Sequence, residues 1–152
     1  MAMTRREARE AVLGLVFETD FHPEHTAEAI FGASTDVREI EPDDYVRTAY
    51  FGIMNNIEQI DGLIGVHSHG WKTHRMSGIS RSAMRIAVWE MLYMKDIPHS
   101  VSINEAIELV KKYDDPKART FVNGVLNAVK ESLEMSNHPQ KQDPTPEEGN
   151  QK

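Results

Sequence analysis

Between residues 4 and 134 the apolar side chains recur at intervals of three and four, and nowhere do they alternate with polar ones as a strand requires. A chain patterned this way must bury helical stripes against one another, so the expected fold class is all-α. Residues 4–20 read as a first helix, with Thr4 and Glu7 in capping-box relation and Ala8, Ala11, Val12 and Leu15 on one face. A short second helix is expected over residues 24–33, then a polar linker over 34–42. Tyr45, Ala49, Ile53, Ile57, Ile60 and Ile64 mark one long third helix. The glycine- and histidine-rich stretch 67–78, with one helical turn expected around 71–76, divides subdomains of about 1–66 and 79–134.

Residues 80–95 predict the most buried helix, because Met84, Ala87, Val88, Met91 and Leu92 cover one face while Ile86, Trp89 and Tyr93 cover another. Two more helices follow. Ser102 and Glu105 form a second capping-box pair that starts a helix over 102–113. Asp115-Pro116 starts another over 116–134, with Val122, Leu126, Val129 and Leu133 as its seam. Gly124 sits inside that seam, and since a mid-helix glycine costs about 1 kcal/mol against alanine, it predicts a close helix contact. The architecture expected is a single domain over residues 1–134 made of two packed helical bundles, three helices and then three to four. Residues 135–152 are almost wholly polar and read as a disordered tail.

A chain of 152 residues is about one domain, and the absence of cysteine excludes a disulfide framework or a thiolate metal site. The N-terminus is polar and basic, and no apolar run reaches membrane-spanning length, so neither a signal peptide nor a membrane helix is expected and the cytoplasm follows by default. The net charge is −7, unevenly placed: residues 16–66 carry eleven acids against Arg38 and Arg47, whereas residues 67–134 are net +2 and residues 1–15 net +1. Phosphates are repelled by the first of these segments. Any RNA would therefore lie on the N-terminal tip and the C-terminal half, leaving the acidic part to solvent or a basic protein.

On the first helix Arg6, Leu13 and Phe17 fall on one line, with Arg5 and Arg9 beside it. Arg6 and Phe17 are separated by about 16 Å of helical rise, the span of a few nucleotides of single strand with phosphates on guanidiniums and a base stacked on the ring. The same residues also fit a solvated first turn with Phe17 in the core, and the line alone does not choose. His67, His69 and His74 could in principle hold a metal, but no His-Glu-x-x-His helix supports them and loop histidines are the better account. No nucleophile elbow, glycine-rich phosphate loop or paired carboxylates in a cleft points to an enzyme.

The segments Thr4-Arg5-Arg6-Glu7-Ala8-Arg9-Glu10, Met84-Arg85-Ile86-Ala87-Val88-Trp89-Glu90-Met91 and Phe121-Val122-Asn123-Gly124, in that order over residues 4–134, closely resemble the NusB family of transcription antitermination factors. The resemblance implies an all-helical protein without enzymatic activity, metal or cofactor. It implies pairing with NusE, a small-subunit ribosomal protein, binding of boxA-type RNA, and action with RNA polymerase in antitermination and ribosomal RNA transcription. Arg5, Arg6 and Arg9 match the family's arginine cluster, while Phe17 stands where a tyrosine is usual, keeping the stacking face without the hydroxyl. Lys117, Arg119 and Phe121 fall on the turn that lies beside those arginines in the family, and Arg81 and Arg85 are a weaker addition to the same surface.

Three other readings stand beside this one. An acidic helical adaptor would bind protein and no RNA. A helical domain like that preceding some ribosomal RNA cytosine methyltransferases would need a methyl-donor fold for which the chain has no room. The third is a histidine-ligated metal protein. If the acidic segment attracts a basic NusE, their association should slow as salt rises.

Overall fold

Capping decides where the first helix begins: the Glu7 N–H bonds Thr4 Oγ1 at 3.0 Å and the Thr4 N–H bonds Glu7 Oε1 at 2.9 Å, the reciprocal box expected from the sequence. The computed structural model describes residues 3–38, 44–68 and 76–137, with the side chains of 35–38 excepted. Among these, α1 spans Arg5–Phe21, α2 Ala27–Arg38, α3 Asp44–Asn55, α4 Ile57–Val66, α5 Gly78–Tyr93, α6 His99–Tyr113 and α7 Ala118–Asn137. The described residues contain no strand.

The expected long third helix is two helices. Its apolar period continues through the join, but the Asn56 N–H bonds the Ile53 carbonyl at 3.1 Å while its side-chain amide bonds the Gly52 carbonyl at 2.8 Å. An asparagine that satisfies the preceding turn with its own side chain competes with the helical ladder, and the chain turns there. The second helix begins later than expected, at Ala27, where Thr26 Oγ1 accepts the Ala29 N–H at 3.1 Å, and it runs through to Arg38 into the expected linker. The helical turn anticipated at 71–76 lies almost entirely outside the described residues, as does the tail from 138; residues 135–137, read as tail, belong to α7.

The helix before the last also starts elsewhere. Ser102 is no N-cap: α6 begins at His99, behind Pro98, and Ser102 is buried inside it. At the last helix Asp115 Oδ1 accepts the Lys117 N–H at 2.8 Å, and the helix proper follows at Ala118.

Helix α5 is the strut expected from its two apolar faces, buried continuously over residues 82–91 and in contact with α1, α3, α4, α6 and α7. Helices α1 and α6 both run antiparallel to it: Arg9 of α1 and Ser102 of α6 reach Glu90, while Phe17 and Asp114 lie at the α5 N-terminus. Tyr50, Ile53, Ile60, Ile64, Met84, Val110, Val122 and Leu126 fill the core around this strut. The close helix approach sought at Gly124 occurs at Gly52 instead, where an added Cβ would stand 2.3 Å from Nε1 of Trp89. Gly124 is exposed, with nothing within 4 Å of such a Cβ, because the α7 seam turns the intervening position outward.

Candidate nucleic-acid interface

The three arginines of α1 have three different environments. Arg9 is only 6% exposed: its Nε donates to Glu90 Oε2 at 2.8 Å, and its Nη1 stands 3.6 Å from Glu105 Oε1. Burial works against the Arg9 charge, yet the hydrogen bond and charge of Glu90 outweigh it and hold the guanidinium above its ordinary pKa. Glu90 itself is fully buried and also accepts from Tyr45 Oη and from Ser102 Oγ. Burial, reinforced by the Glu90 charge, raises the Tyr45 phenol far above its ordinary value, so it stays a donor. One carboxylate thus ties α1, α3, α5 and α6 together. Arg9 cross-links helices from the wall of the groove between α1 and α6, its guanidinium held by Glu90 rather than standing free like those of the expected arginine track.

Arg6 and Arg5 remain at the surface. The Arg6 guanidinium, 60% exposed, meets Glu105 through two hydrogen bonds of 3.0 and 2.7 Å, and Arg5 lies 4.3 Å over the ring of Tyr45. Between Arg6 and Phe17 the line is interrupted, since Leu13 is buried against the core. The open path runs beside it, along a groove of about 390 Å³ between α1 and α6, with Arg6, Glu10, Glu108, Lys111 and Lys112 along it and Arg9, Glu105 and Leu109 in its wall. Lys112 Nζ bonds Glu10 Oε2 at 2.7 Å, Tyr113 Oη bonds Glu10 Oε1 at 3.0 Å, and the lysine holds the Glu10 carboxyl below its ordinary range.

After the groove the chain turns at Asp114, which accepts from Ser77 and from Ser80 Oγ, and enters α7 with Lys117 and Arg119 exposed. Phe17 packs edge-on against Phe21 at 4.9 Å and closes over Gly78, where a Cβ would meet its ring at 2.7 Å. Phe21 is 63% exposed; Phe121 is half-buried against the core.

Arg81 and Arg85 are engaged elsewhere. Arg85 is buried and bonds both oxygens of Asp61 at 2.8 Å and Asp20 at 3.1 Å, while Arg81 shares Asp20 at 3.0 Å. This ladder fastens the end of α1 to α4 and α5. It also takes Asp20 and Asp61 out of the acidity available to a partner. His67 Nδ1 meets the Leu63 carbonyl at 2.9 Å, and His69 and His74 lie outside the described residues.

The NusB family model matches residues 6–131 of the chain, most of its length. The chain belongs to the NusB family. The transcription antitermination protein NusB of Bacillus pumilus (strain SAFR-032) is 41% identical over 133 residues, covering 88% of this chain and 99% of its own; that of Bacillus subtilis (strain 168) is 40% identical over 134 residues, covering 88% and 100%. Among solved structures, NusB of T. maritima superimposes with a TM-score of 0.75 at 32% identity, over 88% of this chain and 99% of that one. A chain from the crystal structure of antitermination factors NusB and NusE in complex with double-stranded RNA gives 0.74 at 27% identity, over 84% and 96%.

On this NusB frame, Lys111, Lys112, Tyr113 and Phe21 are surface groups that sequence reasoning passed over. The Lys-Lys-Tyr run just before Asp114-Asp115-Pro116-Lys117 was a legible signal, because it extends the basic stretch back into the last turn of α6. The burial of Arg9 had a signal too: Glu90 is an acid flanked on both faces of α5 by apolar residues, and such an acid requires a cationic partner.

Proposed function

We propose that the chain is a transcription antitermination factor that binds boxA-type single-stranded RNA together with NusE, joins the RNA polymerase antitermination complex and supports ribosomal RNA transcription. It acts in the cytoplasm, by binding alone and without catalysis. Among the described residues no helix is long and apolar enough to cross a membrane. The observation that carries the RNA reading is the line of exposed cations along one side: Arg5 and Arg6 at the start of α1, Lys111 and Lys112 on the groove, Lys117 and Arg119 at the entry to α7. Guanidiniums and ammoniums spaced along a groove suit a phosphate backbone, and Phe17, Phe21, Tyr113 and Phe121 offer ring faces or edges near its far end for unstacked bases. Arg9, Arg81 and Arg85 serve this surface by holding the helices that present it.

The pairing of Arg6 with Glu105 and of Lys112 with Glu10 gives each cation a competing carboxylate. RNA would have to displace these exposed ion pairs, which are worth little individually in water. The partner supplies the rest of the affinity. Glu18, Glu28, Asp44 and Glu58 are exposed on the acidic half, and a basic NusE would find its charge complement there.

Binding of a boxA-like single strand, measured with NusE present and absent, tests the function. The expected result is measurable binding alone, tighter binding with NusE and weaker binding of a scrambled strand. An acidic adaptor predicts instead that NusE binds while neither the protein nor its complex discriminates the boxA-like strand from the scrambled one. That outcome would replace the RNA-binding reading.

A further inference from the structure

We propose that His22, Glu24 and His25 form a divalent transition-metal site, suited to zinc, at the corner between α1 and α2. The inference is independent of the RNA-binding reading. Glu24 Oε2 lies 3.7 Å from His22 Nδ1 and 3.5 Å from His25 Nε2, and one donor atom from each of the three residues falls within 4.8 Å of the others. In a tetrahedral zinc site, with nitrogen and oxygen donors about 2.0–2.1 Å from the ion, neighbouring donors stand roughly 3.4 Å apart. Two of the three separations already approach that value, the third lies within 4.8 Å, and turning the stacked imidazoles about their side-chain torsions would converge their in-plane lone pairs on one ion.

The backbone beneath the three donors is fixed from both sides. The His22 N–H bonds the Thr19 carbonyl at 3.1 Å and ends α1, the His25 N–H bonds the His22 carbonyl at 3.0 Å, and Thr26 caps α2 at once. Pro23 removes one torsion from the turn. Within it the two imidazoles stack at 5.2 Å between centroids, only 11° from parallel, with the same carboxylate beside both.

Two imidazoles and one carboxylate select by chemistry. Calcium and magnesium prefer all-oxygen sets, whereas zinc accepts nitrogen and oxygen in a three-ligand site whose fourth position water can fill. The corner is exposed to water, which leaves that position open. A bound ion would pin the end of α1 to the start of α2, beside the exposed Phe21 and within the acidic half.

Zinc sulfate titrated into the full-length chain in a non-coordinating buffer, followed by calorimetry and by the imidazole nitrogen signals of His22 and His25, tests the site. The expected result is one ion per chain, both imidazoles shifting together, and affinity reduced at least about tenfold in Glu24→Gln and in His25→Asn but unchanged in His67→Asn. Calcium should move neither imidazole. The proposal is overturned if the wild-type chain takes up no zinc, or if it binds zinc with the His22 and His25 signals unmoved. It is equally overturned if Glu24→Gln and His25→Asn both retain wild-type affinity. Because Glu24 and His25 are exposed on a turn outside the core, folding of the variants does not confound these readings.

Discussion

Arg9→Ala is expected to cost about 3–5 kcal/mol of folding stability, the largest effect among the three arginines of α1. The loss is not that of a surface salt bridge. Truncating Arg9 leaves the Glu90 carboxylate fully buried with only the Tyr45 and Ser102 hydroxyls to satisfy its charge. Arg6→Ala, by contrast, removes an exposed partner from Glu105 and should change stability by no more than about 1 kcal/mol. In a Glu90→Gln background the charge is already gone, so Arg9→Ala should cost distinctly less there, a coupling that a double-mutant cycle in urea reads directly. An Arg9→Ala variant within 1 kcal/mol of wild type would mean that Arg9 does not neutralise Glu90 in solution.

Gly52→Leu is expected to destabilise by about 1–3 kcal/mol, whereas the same substitution at Gly124 should be neutral or stabilising by up to about 1 kcal/mol. At Gly52 the first side-chain carbon already meets the Trp89 indole at 2.3 Å, and that ring, 4% exposed and edge-on to Tyr45, has little room to withdraw. At Gly124 the added carbons enter open space while the helix gains a better former. Thermal denaturation of the two variants side by side gives the answer, and equal losses would show that α3 and α5 are not in the contact described.

Some of this was legible in the residues. The Thr4–Glu7 box placed the start of α1, and two apolar faces marked α5 as the central helix. Local rules failed where long-range contacts took over residues that also fit a local motif. Ser102 and Glu105 have the spacing of a cap, but one bonds Glu90 and the other Arg6, so the helix starts a turn earlier. The apolar period runs unbroken through Asn56, and only the side-chain bond to Gly52 stops the helix. Both glycines look alike in sequence; what distinguishes them is which face of the helix meets a neighbour. The arginine cluster was found as a cluster, but which member turns inward depended on a glutamate 81 residues away.

The salt dependence of RNA binding tests the central claim most directly. A variant carrying Arg5→Ala, Arg6→Ala, Lys117→Ala and Arg119→Ala removes four exposed cations and keeps Arg9 and its buried partners intact. If each meets a phosphate of a boxA-like single strand in the NusE complex, the slope of log affinity against log salt should shrink by about 3, at roughly 0.7 per contact. Arg47→Ala, on the acidic half and over the Phe31 ring, should leave that slope as it was. An unaltered slope and affinity in the fourfold variant would contradict the account, and would place the RNA-binding surface elsewhere than along α1, α6 and the entry to α7.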